Sequence, residues 1–351
     1  MNKELSIGIL GGGQLGMMLC QASKKIGINT HIYCPDEDSP AMHYSNKFTC
    51  EDYLNEKEII NFSNSVDIIT YEFENIPKET LELINYNKLR PGIKSLEQTQ
   101  DRLIERKLLE KLNIPYAPYK ELKDEEDFNY SISNFGDAII KTRRFGYDGK
   151  GQININQKTN FDENISVLFN QSIIEKKIPF EFEFSQVSCR DVFGNVFHFP
   201  LTRNIHENHI LKHSYAPLDL PNDLKEHARE ITRKIISNLD HVGVLTVEFF
   251  KTKENILVNE IAPRVHNSGH WTIEGCSSSQ FKVHMQAVSG IKITQPKLLN
   301  ECHMVNLIGS EINDWINKKS ENSVNIHLYH KNEIKNGRKM GHLTYTKDKK
   351  T

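Results

Sequence analysis

The sequence predicts an α/β protein that begins with a doubly wound parallel sheet and continues into α+β lobes. Short apolar runs alternate with helical patterns over the first ninety or so residues, and closely spaced strand patterns follow from Ala138. Strand–helix alternation is typical of a parallel sheet covered by helices, whereas closely spaced strands are typical of α+β lobes. Two glycine-rich loops that follow predicted strands indicate where a ligand binds.

The predicted elements of the N-terminal part alternate in order. Strands are expected at residues 5–10, 30–34 and 66–71, and helices at 14–25, 56–63 and 78–86. Pro91-Gly92 marks the end of this part, because these residues interrupt regular structure. Beyond a helix at 101–112, strands are expected at 138–141, 173–174, 180–189, 196–200 and 210–215, then a helix at 223–239. A helix at 278–288 precedes strands at 303–307, 324–328 and 343–345.

Two glutamates lie twelve residues apart, each at the end of an apolar, strand-like run. The polar connection between the runs, Lys251 to Asn255, has the length of a hairpin loop. A hairpin would bring Glu248 and Glu260 to neighbouring positions, where two carboxylates repel unless a cation lies between them. Mg²⁺ prefers oxygen ligands and is often held by one or two carboxylates and nucleotide phosphates. The pair therefore indicates a protein that uses ATP.

The first glycine loop, Gly11 to Gly16, fits the GxGxxG pattern between a strand and a helix. Backbone amides at such a turn can face a phosphate, and Asp36 could bind a ribose as in dinucleotide folds. The alternative is a tight turn that needs glycine only for steric reasons. A phosphorylated ligand is favoured over NAD.

The second glycine loop spans residues 140–152, IKTRRFGYDGKGQ. Lys141 at the end of a strand can reach phosphate oxygens, and three glycines in six residues suit a mobile flap whose amides close over a triphosphate. The loop lacks the GK[ST] of a Walker A motif. An exposed hairpin with ordinary charges is the alternative.

Three further segments carry polar side chains. In residues 262–271, Asn267 could complete a metal shell and Arg264 could neutralise a transferring phosphoryl group, although Ser268 could simply cap a helix. Residues 71–75 end a parallel strand, where polar groups face a ligand crevice or cap the next helix. His206, His209 and His213 would align on a helix as a zinc site, but their neighbours favour strand and loop.

Composition excludes several classes of protein. The 351 residues are 38% hydrophobic and 26% charged with a formal net charge of −2, which gives no basic surface for nucleic acid. No apolar run approaches the ~20 residues of a membrane helix, and the N-terminus does not resemble a signal peptide. Six cysteines without a CxxC pair predict reduced thiols in a cytoplasmic protein.

Together these segments resemble the ATP-grasp superfamily and, within it, the N5-carboxyaminoimidazole ribonucleotide synthetases. The matching stretches run in family order from residue 7 to residue 342: 11–16, 71–77, 100–102, 141–152, 200–211, 247–250, 259–271 and 337–342. Phe145 stands where glycine is usual and Val265 where proline is usual, but neither removes a charged group. The resemblance implies an ATP-grasp fold with a doubly wound domain at 1–93, a lid lobe at about 115–178 and a larger lobe at about 179–290 within 94–290, and a small C-terminal part at 291–351.

The resemblance also implies a role for individual residues. Implied ATP-binding residues are Arg102, Lys141, Gly146, Tyr147, Asp148, Gly149, Lys150, Gly151, Gln152, Glu175, Lys176, Lys177, Ile178, Glu183, His206, Asn259 and Glu260. Implied substrate-binding residues are Gly13, Gln14, Leu15, Glu72, Tyr147, Asp148, Lys150, Arg338 and Lys339, with Gly12 in the same turn. Glu248, Glu260 and Asn267 would bind metal, and Arg264, Asp148 and Lys339 would be catalytic.

The implied reaction is ATP-dependent carboxylation of 5-aminoimidazole ribonucleotide by bicarbonate, through carboxyphosphate, in purine biosynthesis. It would use two Mg²⁺ ions, with Mn²⁺ as a possible substitute, in a homodimer that passes its product to a separate mutase. The alternatives are another ATP-grasp ligase, such as a formate-dependent glycinamide ribonucleotide transformylase or a biotin carboxylase, a nicotinamide-dependent oxidoreductase, and a regulatory nucleotide-binding protein without catalysis.

Overall fold

The N-terminal part is a four-stranded parallel sheet with helices on both faces. The structure is a computed structural model that describes residues 4–146, 149–321 and 323–348. Its first strands are β1 (Ser6–Leu10), β2 (Asn29–Cys34), β3 (Lys47–Cys50) and β4 (Ile68–Tyr71), in the order β3-β2-β1-β4. The helices are α1 (Gln14–Lys24), α2 (Glu56–Ser65) and α3 (Lys78–Glu82), with a 3-10 turn at Pro40–His43. The predicted doubly wound sheet is confirmed.

Alternating side chains of the parallel strands explain why both faces are covered. Ile7 and Ile9 pack with α1, whereas Leu10 and Ile69 pack with Phe62 of α2 on the opposite face. All five side chains are almost fully buried. A strand with both faces covered needs apolar residues at nearly every position. The sequence pattern did not predict β3, and the third helix ends four residues earlier than expected.

Two helices connect this sheet to the rest of the chain. They are α4 (Ile93–Thr99) and α5 (Arg102–Lys111), of which the second was predicted. The Asp101 side chain accepts the Leu103 N–H at 2.9 Å, so it caps the first turn of α5. The same carboxylate binds the Arg143 guanidinium at 2.8 Å, which ties the helix start to the second glycine loop.

A small antiparallel sheet follows. Its strands are β5 (Tyr119–Leu122), β6 (Ala138–Thr142), β7 (Gln152–Ile155) and β8 (Ser172–Lys176), in the order β5-β8-β6-β7, with helices α6 (Glu125–Phe135) and α7 (Glu163–Ser166). Its own core contains Leu122, Phe128 and Ile140. The second glycine loop joins β6 to β7, so it projects from the end of this sheet.

The largest sheet is antiparallel and has nine strands. They are β9 (Phe182–Arg190), β10 (Val196–His198), β11 (Thr202–Glu207), β12 (Ile210–Ala216), β13 (Gly243–Lys251), β14 (Ile256–Ala262), β15 (Asn300–Ile308), β16 (Val324–Leu328) and β17 (Lys339–Asp348). The order is β14-β13-β9-β11-β12-β15-β17-β16, and β10 pairs with β9. The helices are α8 (Asn222–Asn238), α9 (Thr272–Gly275) and α10 (Gln280–Ser289), with 3-10 turns at Asn267–Gly269 and Gly309–Asp314.

The C-terminal strands belong to the same sheet as the preceding lobe. β12 pairs with β15, and β15 pairs with β17 over nine residue pairs. This continuity brings Lys339 of β17 close to the residues that follow β14. The expected boundaries at 93, 178 and 290 remain predictions. Over the ranges that the structure describes, no helix is both long and apolar enough to cross a membrane.

Candidate active site

The glutamate pair is formed as the sequence predicts. Strands β13 and β14 make a hairpin in which Glu248 lies directly opposite Glu260. The register then slips by one residue, because Phe249 pairs with Val258 and leaves Asn259 as an extra residue. Such a bulge bends a strand and changes the direction of its side chains. The irregularity therefore lies directly beside the opposed Glu248 and Glu260, within the hairpin.

The electrostatics of this pair suit a cation. Burial is the main cause that raises the pKa of Glu248 to about 7; the His206 charge opposes the rise, and the neighbouring Glu260 and Glu183 carboxylates add to it. The Glu248 side chain is 15% exposed and that of Glu260 is 43% exposed. Among the described residues, no three His, Cys, Asp or Glu side chains form a metal cluster. The pair therefore fits an ion that completes its shell with other oxygens, such as those of phosphate.

Two histidines flank the glutamates. His206 Nδ1 lies 2.7 Å from Glu183 Oε2, and His266 Nε2 lies 3.6 Å from Glu248 Oε1. Burial favours the neutral form of His206, but the Glu183 hydrogen bond and the Glu248 charge raise its pKa overall. Burial, together with Arg264, lowers the pKa of His266 well below its usual range. His206 is thus protonated more readily than His266.

Two predicted ATP-binding residues of the small sheet, Lys141 and Glu175, belong to a buried network. Lys141 Nζ donates to Glu175 Oε2 at 2.5 Å across the β6–β8 pair, and Arg106 Nε donates to Glu175 Oε1 at 2.6 Å. Burial would raise the pKa of Glu175, but these two cations lower it to about 2. Lys176 and Lys177 are exposed and Ile178 is half-buried directly after β8.

Arg106 is the centre of this network, and the sequence reasoning missed it. Its side chain is 2% exposed and also contacts Glu105 Oε1 and the Asn259 carbonyl oxygen, both at 2.6 Å. Glu105 in turn accepts the Ile261 N–H at 3.0 Å. Arg106 therefore joins α5 to the small sheet through Glu175 and to the bulge beside Glu260. A charged pair inside an otherwise amphipathic helix is the signal that could have revealed it.

The second glycine loop lies against both neighbouring lobes. Arg102 Nη2 donates to the Gly146 carbonyl oxygen at 3.3 Å and lies 3.9 Å from Glu260 Oε2. Gly149 has φ +78°, and a Cβ built there would lie 2.5 Å from the His209 Cβ. A side chain at Gly151 would likewise meet Thr142 at 2.3 Å. Glycine is therefore needed for this close approach.

The other residues of the second glycine loop include exposed side chains and one residue that pairs within the small sheet. Lys150 is exposed, and Gln152 pairs with Lys141 at the start of β7. Tyr147 and Asp148, including the predicted catalytic Asp148, lie outside the described residues. Phe145 has φ +61° and is 66% exposed. This left-handed conformation disfavours a bulky residue, which explains why glycine is usual there.

The first glycine loop holds a carboxylate of the protein itself. Gly13 N–H donates to Glu72 Oε1 at 2.7 Å, at the N-terminus of α1 where Gln14 and Leu15 begin the helix. A Cβ on Gly12 would lie 1.9 Å from Ser39 Oγ. Burial raises the pKa of Glu72, although this hydrogen bond opposes the rise. The contact at Gly12 thus supports the steric interpretation of this turn, and Glu72 ties the turn to the end of β4.

A cationic segment from the C-terminal strands faces Glu72. Lys331 Nζ donates to the Lys339 carbonyl oxygen at 2.8 Å, and Arg338 Nη1 donates to the Glu333 carbonyl oxygen at 3.0 Å. Burial and the Arg338 charge lower the pKa of Lys331 to about 8, against the opposing charge of Glu72. Lys331 was missed because no motif marks it. The structure therefore places Lys331 near Glu72, with the Arg338 and Lys339 charges close to Lys331.

The segment after β14 links these parts. Arg264 Nη2 lies 2.6 Å from Glu74 Oε2, directly beyond β4. The Asn267 and Asn306 side-chain amides bind each other at 3.0 and 2.7 Å. Asn267 is thus held by an amide partner near Glu248, and its role as a metal ligand remains a prediction. His206 and His213 lie on β11 and β12, with His209 in the turn between them, as the strand-and-loop interpretation predicted.

Comparison with known proteins agrees with this geometry. Family models match residues 4–100 (ribonucleotide synthetase preATP-grasp domain), 107–281 (ATP-grasp domain) and 302–351 (phosphoribosylaminoimidazole carboxylase C-terminal domain). The N5-carboxyaminoimidazole ribonucleotide synthase of Brucella melitensis is 39% identical, over 97% of this chain and 96% of the relative. The chain is 37% identical to a bifunctional purine synthesis protein of Dictyostelium discoideum, and it spans only 37% of that longer protein.

Solved structures show the same relationship. The N5-carboxyaminoimidazole synthetase of Staphylococcus aureus complexed with ADP is 35% identical with a TM-score of 0.91, over 99% of this chain and 95% of that one. The Aspergillus clavatus synthase in complex with ADP and 5-aminoimidazole ribonucleotide is 27% identical with a TM-score of 0.89, over the same shares. This chain therefore belongs to the N5-carboxyaminoimidazole ribonucleotide synthetase family of the ATP-grasp superfamily.

Proposed function

We propose that this protein carboxylates 5-aminoimidazole ribonucleotide with bicarbonate at the expense of ATP, through carboxyphosphate. The products would be N5-carboxyaminoimidazole ribonucleotide, ADP and phosphate. The observation that carries the proposal is the directly opposed Glu248–Glu260 pair, in a chain that matches the Brucella melitensis synthase over nearly its full length. Such a pair is suited to hold the metal of a nucleotide triphosphate.

ATP would lie between the small sheet and the largest sheet. Lys141 and Arg102 are cations at the ends of elements that face this cleft, and Gly146, Gly149 and Gly151 allow the loop backbone to approach phosphates. Glu183, held by His206, is suited to accept hydrogen bonds from a ribose. Mg²⁺ bound by Glu248 and Glu260, with Asn267 or Asn259 nearby, would neutralise phosphate charge, and Mn²⁺ could replace it.

The phosphoryl step needs positive charge near the attacking bicarbonate. Bicarbonate oxygen would attack the γ-phosphorus, ADP would leave, and carboxyphosphate would form. Arg264 is 15% exposed and its guanidinium is oriented by Glu74, so it is positioned to stabilise negative charge that develops in this transfer. The second glycine loop, which touches His209, would exclude water from the labile intermediate.

The ribonucleotide would occupy the wall formed by the first glycine loop and the C-terminal strands. Glu72 at the Gly13 turn is placed to bind a polar group of the substrate, and Arg338, Lys339 and Lys150 would bind its phosphate. The exocyclic amine would attack the carboxyl carbon, phosphate would leave, and Asp148 would accept the amine proton. These assignments are supported by the gathering of opposite charges at this wall.

Assembly and hand-over of the product are further parts of the proposal. The protein would form a homodimer in the cytoplasm and pass its product to a separate mutase. The similarity to a bifunctional purine synthesis protein of Dictyostelium discoideum supports a second purine-synthesis activity that acts together with this one. Light scattering during gel filtration would contradict the dimer if it gave the 40.6 kDa mass of a single chain at all concentrations.

The function is tested by phosphate release from MgATP and bicarbonate with and without 5-aminoimidazole ribonucleotide. We expect strong stimulation by the ribonucleotide and formation of an acid-labile carbamate. Stimulation by a different amine or acid alone would keep the ATP site but refute the substrate assignment. Glu260→Gln is the matched variant, because it removes one carboxylate of the pair and keeps the side-chain shape.

A further inference from the structure

A buried group of aromatic rings lies behind the substrate wall, and the proposed mechanism does not use it. Tyr329, His270 and His342 are each 0% exposed. The Tyr329 hydroxyl lies 2.8 Å from His342 Nδ1 and 3.2 Å from His270 Nδ1. His342 belongs to β17, and His270 ends the segment that carries Arg264. The Tyr329 hydroxyl thus connects the segment that carries Arg264 with β17, which carries Lys339.

The protonation states of Tyr329, His270 and His342 determine which group donates each hydrogen bond. Burial raises the pKa of Tyr329 and lowers the pKa values of both histidines well below their usual range. The phenol therefore keeps its single proton, and both imidazoles are neutral. A hydroxyl with one proton donates to one Nδ1 and accepts from the other, so the two rings have opposite tautomers.

The hydroxyl is also the main polar anchor of both rings. In the described parts of the chain, His270 Nε2 and His342 Nε2 are buried without a hydrogen-bond partner. Removing the hydroxyl would therefore leave both imidazoles without their observed side-chain hydrogen bond. A buried polar group that loses its partner destabilises the arrangement that holds it.

Tyr329 also contacts the cationic segment directly. Its backbone N–H donates to the Met340 carbonyl oxygen at 3.0 Å, which fixes it beside β17. Lys331 Nζ lies 5.6 Å from the centroid of the Tyr329 ring and donates to the Lys339 carbonyl oxygen. A cation at this distance is attracted by the ring face. The ring and its hydroxyl therefore act on the positions of Lys331, Lys339 and the Arg264 segment.

We propose that Tyr329 is a positioning residue for carboxyl transfer, because its hydroxyl holds the Arg264 segment and β17 in register. Arg264 on one side and Lys331 and Lys339 on the other would then converge on the same anionic intermediate. This inference rests on the function proposed above. Without the hydroxyl contact, phosphoryl transfer should still occur, but the amine of the ribonucleotide should capture carboxyphosphate less often. ATP is then consumed without carboxylation.

The test is the ratio of ADP formed to carbamate formed in Tyr329→Phe. We expect this ratio to rise several-fold and the turnover number for carboxylation to fall about tenfold, with the KM for ATP within about twofold. Tyr33→Phe is the matched control, because it removes another buried tyrosine hydroxyl, one that donates to the Asp52 carbonyl oxygen at 2.7 Å. Its ratio should equal that of the unmodified protein.

The two proposals fail in different ways. If Tyr329→Phe merely lowers the amount of folded protein, both rates fall together and the unchanged ratio refutes the positioning role. An unchanged ratio with unchanged rates refutes it equally. If the unmodified protein forms no carbamate from the ribonucleotide, the proposed function itself is refuted.

Discussion

Replacing Glu248 by glutamine should stabilise the ligand-free protein while abolishing its ATP-dependent activity. The carboxylate is buried opposite Glu260, and its pKa is raised from 4.5 to about 7. Since each pKa unit corresponds to roughly 1.4 kcal/mol, ionising this group in the folded state costs about 3 kcal/mol. Glutamine has nearly the same shape and carries no charge, so Glu248→Gln should recover much of that free energy.

The stabilisation by Glu248→Gln should increase with pH. A carboxyl group whose folded pKa is raised lowers stability increasingly as the pH rises from 4.5 to about 7, with the full cost above that window. The advantage of Glu248→Gln should therefore be about 3 kcal/mol at pH 8 and at most about 1 kcal/mol at pH 5. Glu254→Gln, at the exposed tip of the same hairpin, is the matched control and should change stability little at either pH.

The assay is urea unfolding of the metal-free protein at the two pH values, repeated with Mg²⁺ and ADP. With these ligands, the unmodified protein should gain stability and Glu248→Gln should gain much less. If Glu248→Gln is less stable than the unmodified protein at pH 8 without ligands, the ionised Glu248 side chain does not destabilise the folded protein and the reasoning is refuted. An equal gain from Mg²⁺ and ADP in both proteins would refute the metal role of Glu248.

Other substitutions test the contacts around this pair. Arg106→Met should destabilise the protein by about 3–5 kcal/mol, because Glu105 and Glu175 would remain buried without their cation. Arg106→Lys should retain part of that stability, because lysine keeps the charge. Equal stability of Arg106→Met and the unmodified protein in urea unfolding would contradict the role of this network. Phe145→Gly should relieve roughly 1 kcal/mol of left-handed strain. Because glycine also makes the loop more flexible, Phe145→Gly should be cleaved by protease faster than the unmodified protein without ATP, and ATP should protect it. Equal cleavage rates of the two proteins would contradict this effect on the loop. Glu74→Gln should lower the turnover number more than it raises the KM for ATP, because it frees Arg264; a change in the KM for ATP alone would argue against a role of Arg264 in the transfer.

The sequence pattern predicted those parts of the site that are formed by residues close together in the sequence. The Glu248–Glu260 hairpin was predictable because only four residues, 252–255, join the two strands, so their pairing follows from chain length and apolar pattern. The doubly wound sheet was predictable because strand and helix patterns alternate along the N-terminal part. The bulge at Asn259 was not, because one extra residue changes no sequence pattern. The left-handed Phe145 was visible only as a departure from the family.

The contacts that hold the site together are distant in sequence. Arg106 binds Glu175, 69 residues away, and the Asn259 carbonyl oxygen, 153 residues away. Lys331 reaches the wall near Glu72 only because β15 to β17 extend the largest sheet. No periodicity or motif encodes such contacts, since they follow from how sheets pack. Charged residues at apolar helix positions, as in α5, are the one signal that points to them.

The fate of the bicarbonate oxygen shows whether this protein forms carboxyphosphate. If carboxyphosphate forms, ¹⁸O-labelled bicarbonate transfers one labelled oxygen to the phosphate that is released, because the bridging oxygen leaves with phosphorus. We expect one ¹⁸O-labelled phosphate for each N5-carboxyaminoimidazole ribonucleotide formed, and its formation should depend on ATP and on 5-aminoimidazole ribonucleotide. Phosphate without label, formed together with the carboxylated product, would contradict the proposed mechanism.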